Sequence, residues 1–245
     1  MQPPVVQVRN ETGTSPYVLV CEHAANYLPP AFGTLGLSSS DLSRHIGWDI
    51  GAAQVARSLS ALIDAPLVLA GYSRLLIDLN RPPASPASIP EISEATAIPG
   101  NQNLTDDARQ QRIDRYFTPF HTRLARLMAN RQARPQPTAL IAVHSYTPVF
   151  MGVARPWQAG ILYRRSKNFG AALVEALGGA AADIAHNQPY QIDDDSDYTV
   201  PIHGEACGFQ AVLVEISQGL LTDRQGTDAW ATRLAQGLRD CEHLV

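Results

Sequence analysis

The chain has 245 residues, 45% of them hydrophobic, a formal net charge of -4, and cations that are almost all arginine, with Lys167 the only lysine. That length suits one large α/β domain over residues 1–245, and the absence of any basic stripe or charge run argues against nucleic acid or an anionic membrane as partner. Three cysteines (Cys21, Cys207 and Cys241) without CxxC spacing suggest neither a disulfide framework nor a cysteine metal cluster, and the lack of a leader pattern or a run of about 18 apolar residues reads as cytosolic.

Pro16 to Cys21 is a short valine-rich run bounded by polar turn residues, the pattern of a buried strand, and it delivers Glu22 and His23 to a strand end. From Ser39 or Ser40, apolar residues recur at helical spacing through Ile46, Ile50, Val55, Leu59 and Leu62, which predicts one amphipathic helix ending near Asp64. Pro66 to Ala70 and Leu75 to Leu79 read as two further strands, the second leading into Asn80-Arg81 and a break at Pro82-Pro83. Residues 82–103 are rich in Pro, Ser and Ala without a period, which predicts a long loop of the kind that often serves as a lid.

Thr105 to about Arg131 carries helical periodicity, and Ala139 to Val143 is a strand ending in His144-Ser145-Tyr146. Gly160 to Tyr163 reads as a strand and Phe169 to Ile184 as a helix. After an acidic loop at Asp193 to Asp197, Ala211 to Ile216 is the last strand, with Glu215 inside it, and Thr227 to Leu238 is the closing helix. Alternation of strands and helices predicts an α/β fold with a sheet that is at least partly parallel.

In such sheets ligands gather at the carboxyl ends of strands, where His23, Asn80, Arg81 and His144 are expected. His23 and His144 are candidate metal ligands, since neutral imidazole suits zinc and a catalytic zinc takes three protein ligands. Asp49 is the preferred third ligand, as a helix acid facing the sheet is costly to bury alone; Glu22 and Asn26 compete for the position.

Glu215 lies in the apolar run Val212-Leu213-Val214-Glu215-Ile216, where burial would raise its pKa toward the range of a general base. Arg74 and the pair Asn80-Arg81 flank Leu75 to Leu79, and arginine forks can orient a substrate carboxylate or stabilise an oxyanion. Asp193, Asp195 and Asp197 fail as an EF-hand, because Tyr198 and Gly204 stand where glycine and glutamate are required, so they read as a solvated loop. His203 beside Gly204 is a candidate proton donor. The GxSxG elbow, the phosphate loop, GxGxxG after a strand and HExxH are all absent.

Taken together, Cys21-Glu22-His23-Ala24-Ala25-Asn26, His45 to Ala52 and Ser73 to Pro82 resemble the N-formylglutamate amidohydrolase family. His144-Ser145-Tyr146, Asp197-Tyr198-Thr199 with His203-Gly204, and Val214-Glu215-Ile216 continue the likeness in order, so that it spans about Val18 to Leu221. That family is similar to the zinc carboxypeptidases and aminoacylases, which implies a three-layer α/β/α sandwich around a mixed sheet.

By the resemblance, His23 and His144 match zinc ligands, Glu215 the glutamate that activates water, Arg74 the oxyanion-side arginine, and Asn80 with Arg81 the carboxylate clamp. Where the carboxypeptidases place a glutamate three residues after the first histidine, this chain has Asn26, which favours Asp49 as the third ligand. The expectation is one zinc ion held by His23, Asp49 and His144, and hydrolysis of N-formyl-L-glutamate or a similar small N-acyl amino acid, with Tyr198 and His203 as auxiliary substrate contacts. The alternatives are a zinc amidase, peptidase or deacylase for another N-acyl substrate, and a carboxylate-binding protein on the same fold.

Overall fold

In the computed structural model, which describes residues 2–134 and 136–245, seven strands form one mixed sheet. They are β1 (Val6–Arg9), β2 (Tyr17–Cys21), β3 (Leu67–Ala70), β4 (Ala139–Tyr146), β5 (Ala159–Leu162), β6 (Ile184–His186) and β7 (Gln210–Ser217), in the spatial order β1-β3-β2-β4-β7-β5-β6. The four central strands β3, β2, β4 and β7 run parallel, while β1 and the β5–β6 pair run against them. Their continuous runs of Val, Leu, Ile and Ala are what a sheet covered on both faces requires.

Alternate residues of these strands supply two separate cores. Leu19, Ile141, Val143, Val212 and Val214 pack beneath α2 (Ala52–Leu62), α5 (Lys167–Ala176) and α6 (Arg224–Asp240). Val18, Val20, Leu140, Ala142 and Leu213 face the opposite layer, built by α3 (Asp106–Arg112), one π-helical turn at Ile113–Phe117, and α4 (Thr118–Gln132). The chain is therefore the three-layer α/β/α sandwich expected from its sequence. Phe120, on α4, is completely buried in the second core. Phe120→Ala should cost about 3–5 kcal/mol, read as a lower urea midpoint with little change in slope.

Four local expectations are corrected. The helix expected from Ser39 to Leu62 is two helices, α1 (Ser39–Ser43) and α2, separated by eight non-helical residues. Gly51 ends that gap at φ +83, and a Cβ there would stand 2.4 Å from Leu221 Cβ, so only glycine both fits and adopts the conformation. Asp49 is accordingly outside any helix.

The run Leu75 to Leu79 is a buried loop, not a strand; its apolar side chains fill the core, and its carbonyls are met by side chains, Leu75 O by Asn101 Nδ2 and Leu76 O by Arg112. Residues 82–103 are an ordered connection with short helical turns and a two-stranded hairpin, Ile92–Ser93 with Thr96–Ala97. A second small hairpin, Val149–Phe150 with Val153–Ala154, turns at Met151-Gly152, both at positive φ. The helix expected from Phe169 to Ile184 ends as α5 at Ala176, and Ile184 instead opens β6; neither that strand nor β1 is among the elements expected from the sequence.

Candidate metal and catalytic site

Strand register builds the site. Tyr17 pairs with Ala139 and Val20 with Ala142, so Glu22, two residues further on, lies level with His144, and His144 pairs directly with Glu215 on β7. One row across three parallel strands thus carries two carboxylates and an imidazole on the same face, with His23 just past the end of β2. Asp49 reaches this row from the segment between α1 and α2, pinned by its own N–H to His23 O at 3.0 Å and by Ser145 N–H donating to its Oδ2 at 3.3 Å.

His23, Asp49 and His144 are all buried, and one ligand atom from each lies within 4.8 Å of the others. Asp49 Oδ2 is 2.9 Å from His144 Nδ1 and 3.4 Å from His23 Nδ1. The outer nitrogens are already engaged: His23 Nε2 donates to Asp78 Oδ1 at 2.7 Å, and His144 Nε2 donates to Glu22 Oε2 at 3.0 Å. With protons fixed there, both Nδ1 atoms and the Asp49 oxygen point at one another, a set that needs either a proton or a metal cation between its members.

The same surroundings favour positive charge on the imidazole itself. Burial opposes an imidazolium at His144, yet the Glu22 charge and the Asp49 carboxylate hold its pKa well above the usual histidine range. Burial likewise opposes ionisation of Glu22 and Asp49, and the histidines overcome it, bringing Glu22 down to about 2 and Asp49 lower still. Two nitrogens and one carboxylate oxygen are a donor set that suits zinc, so these residues fit the ion. Glu22 and Asn26 are not in that set: Glu22 supports His144 from the far side, and Asn26 Nδ2 donates to Leu42 O.

The histidines and Asp49 open onto a cavity of about 460 Å³ that Arg74, Asn80, Arg81 and Glu215 also line. Glu215 Oε2 is buried without a hydrogen-bond partner, and burial, opposed chiefly by His144, raises its carboxyl to about 7. Arg74 is held at the wall by Asp78, with Nη2 at 2.6 Å and Nε at 3.0 Å from Oδ2, and approaches Asp49 Oδ1 at 3.4 Å. Arg81 stands 3.7 Å from Asp197 and donates to Ser196 O.

The remaining expected contacts lie elsewhere. Asn80 borders the cavity, and most of its amide is engaged in structure: Oδ1 accepts from the N–H groups of Tyr198 and Thr199, and Nδ2 donates to Asp197 at 3.1 Å. It organises the neighbourhood of Arg81, and one of the two Nδ2 hydrogens is committed to Asp197, leaving the second for a ligand.

Tyr198 and His203 do not line the cavity. Tyr198 packs on Phe117 and His121, while His203 pairs its Nε2 with His121 Nδ1 at 2.9 Å. His121 Nε2 donates to Leu79 O, so the proton shared between the imidazoles is the one on His203 Nε2. Burial lowers both pKa values, to about 3 for His121 and about 4 for His203, and they form a neutral buried pair.

The acidic loop is not wholly solvated either: Asp193 caps the N–H groups of Asp195 and Ser196, but Asp197 is buried against Asn80. Sequence reasoning missed His45, Tyr146, Tyr190 and Gln218, which also line the cavity, and did not assign Asp78 and Glu22 to the histidines. Strand alternation from Val18 and Val20 to Glu22 could have found the last of these; Tyr190 carries no sequence signal.

Comparison with known proteins places this geometry in context. A family model described as N-formylglutamate amidohydrolase matches residues 15–222. The chain is similar to gene product Atu2144 from Agrobacterium tumefaciens, at 36% identity over 99% of this chain and 96% of that one, with a TM-score of 0.95. It shares the fold of N-formylglutamate amidohydrolase from Ralstonia eutropha JMP134, at 18% identity over 100% of this chain and 98% of that one, with a TM-score of 0.71. No curated protein matches the chain.

Proposed function

The chain belongs to the N-formylglutamate amidohydrolase family, and on that premise we propose that it is a zinc-dependent enzyme hydrolysing the amide bond of N-formyl-L-glutamate or a similar small N-acyl amino acid. The observation that carries the proposal is the convergence of His23 Nδ1, His144 Nδ1 and Asp49 Oδ2 beside the buried Glu215. His23, Asp49 and His144 would hold one zinc ion, and the chemistry a bound zinc supplies is Lewis acidity toward water and the amide carbonyl.

Glu215 takes the proton of the attacking water. Its raised pKa makes it a strong enough base for this and a strong enough acid to pass the proton to the departing nitrogen. Arg74, fixed by two bonds to Asp78, presents its guanidinium edge where negative charge develops on the acyl oxygen. Arg81 holds the substrate carboxylate, exchanging its loose 3.7 Å contact with Asp197 for a fork on the ligand. Fixing that end sets the amide in line with Glu215 and removes much of the entropic cost of attack.

The test is formate release from N-formyl-L-glutamate and other N-acyl amino acids by zinc-loaded protein, with a chelated control. Release that the chelator abolishes and zinc restores supports the proposal; release indifferent to the chelator defeats the metal, and no turnover of any N-acyl amino acid defeats the activity. Glu22→Gln, which weakens the support of His144, should lower zinc affinity about 10–100-fold in a competition titration with a chromophoric chelator. No change would mean that Glu22 does not tune the ligand.

The second reading, a deacylase or peptidase for larger substrates, is favoured by the size of the cavity, about 460 Å³. No helix among the described residues is long and apolar enough to cross a membrane.

A further inference from the structure

We propose that Gln218 recognises the N–H of the scissile amide, its side-chain oxygen Oε1 accepting that hydrogen and so restricting the enzyme to secondary amides. The inference rests on the amide-hydrolase reading and adds a contact to the reacting nitrogen, whose own hydrogen no residue has yet been assigned to meet.

The orientation of the Gln218 amide follows from its partners. Ser145 O is a backbone carbonyl and can only accept, so the end of the amide that meets it at 3.1 Å is the NH2 group. Ser145 Oγ gives its single proton to Ile50 O at 2.7 Å, which leaves it an acceptor for Gln218 Nε2 at 3.2 Å. A flipped amide would set its oxygen against two acceptors and lose both bonds. Oε1 is therefore turned away from Ser145. It accepts from no donor among the described residues and, unlike Glu215 Oε2, keeps access to solvent.

The amide stands beside the reacting groups. Gln218 is 8% exposed and lines the same cavity as Glu215 and His144. Glu215 pairs with His144 and Ser217 with Tyr146, so Gln218 follows directly on the strand end that carries the base. Its backbone is fixed by a 3-10 turn, Gln218–Leu220, which Leu221 N–H closes on Gln218 O at 3.0 Å. Ser145 also donates its N–H to Asp49, so a single residue steadies both a candidate ligand and this amide.

The nitrogen of a secondary amide keeps its hydrogen through the reaction. As the water oxygen bonds to the acyl carbon and the C–N bond breaks, the electron pair of that bond passes to nitrogen, which takes from Glu215 the proton removed from water. An acceptor holding the existing N–H turns the nitrogen's forming lone pair away from Gln218 and toward Glu215, and the contact persists in the departing amine. An N-methyl amide or an ester has no hydrogen to offer and leaves a largely buried oxygen unmatched.

The experiment measures kcat/KM of the zinc-loaded enzyme on three probes with one skeleton: N-formyl-L-glutamate, its N-methyl derivative, and 2-formyloxyglutarate, the ester in which oxygen replaces N–H. If another N-formyl amino acid is the one turned over, the three are built on it. The wild type should use the N-methyl probe about a hundredfold less well or worse. Gln218→Met, close to glutamine in length but without the amide, should lose about 10–100-fold on the N–H substrate and less than about threefold on the ester, corrected for its spontaneous hydrolysis. Zinc content and circular dichroism of the variant are measured alongside.

Equal losses on amide and ester would give Gln218 a structural role through Ser145 and overturn the contact, as would turnover of the N-methyl probe within about tenfold of the N–H substrate by the wild type. That second comparison needs no variant and stands even if Gln218→Met fails to fold. Either result leaves the amide-hydrolase reading intact, whereas absence of turnover on every N-acyl amino acid removes that reading, and the contact with it.

Discussion

Glu215→Gln should leave zinc bound at full stoichiometry and reduce kcat by about 10²–10⁴-fold, the range that a positioned general base contributes. The substitution is nearly isosteric, and Glu215 makes no hydrogen bond through Oε2 that its loss would break, so the fold has little reason to respond. The sign of the pH dependence follows from the same group. A base works deprotonated, so activity is lost as pH falls through its pKa. Burial places that pKa at about 7, and a bound divalent cation would draw it downward, so the acid limb of kcat/KM should fall at or below about 7. Glu215→Gln should remove the limb along with the rate. Retention of more than a tenth of kcat, or an unchanged acid limb in the variant, would assign the base to another residue.

Asp49→Asn should reduce zinc affinity by more than the roughly 10–100-fold expected when a supporting group behind a ligand is lost, since here the ligand itself is replaced by a neutral amide. The damage extends beyond one bond. Asp49 also accepts from Ser145 N–H and faces Arg74 Nη1 at 3.4 Å, so the variant loses the charge that offsets both a half-buried arginine and two imidazoles. Metal analysis after dialysis against a weak chelator, with circular dichroism to check the fold, measures this directly. Unchanged zinc content would exclude Asp49 from the ligand set and would leave Glu22 to be re-examined as a ligand, despite its placement behind His144.

Much of the fold was legible because burial on both faces writes itself into a strand as an unbroken apolar run. Tyr17–Cys21, Leu67–Ala70, Ala139–Tyr146 and Gln210–Ser217 are of this kind, and the polar residues at their ends were read as site candidates on that ground. Leu75 to Leu79 misled for the same reason in reverse. Burial also makes a loop apolar when side chains such as Asn101 and Arg112, distant in sequence, satisfy its backbone, and no local pattern separates that case from a strand.

The candidate site residues divide along the same line. His23, His144 and Glu215 could be singled out from one-dimensional context, as each interrupts or closes an apolar run. Asp49 was singled out for a mistaken local reason, since the helix expected around it is broken before Gly51, although the structure does bring it to the histidines.

By itself, then, the sequence determined which strands are buried, which residues punctuate them and the family likeness those residues carry, because these depend on composition and spacing within short segments. The tertiary structure alone decided the strand register that sets Glu22, His144 and Glu215 in one row, the pairing of each imidazole with its outer carboxylate, and the exclusion of Tyr198 and His203 from the cavity. It alone added Tyr190 and Phe150 to the site. These are relations between segments far apart in the chain, fixed by the packing of layers and the direction of individual bonds, and no periodicity within a segment encodes them.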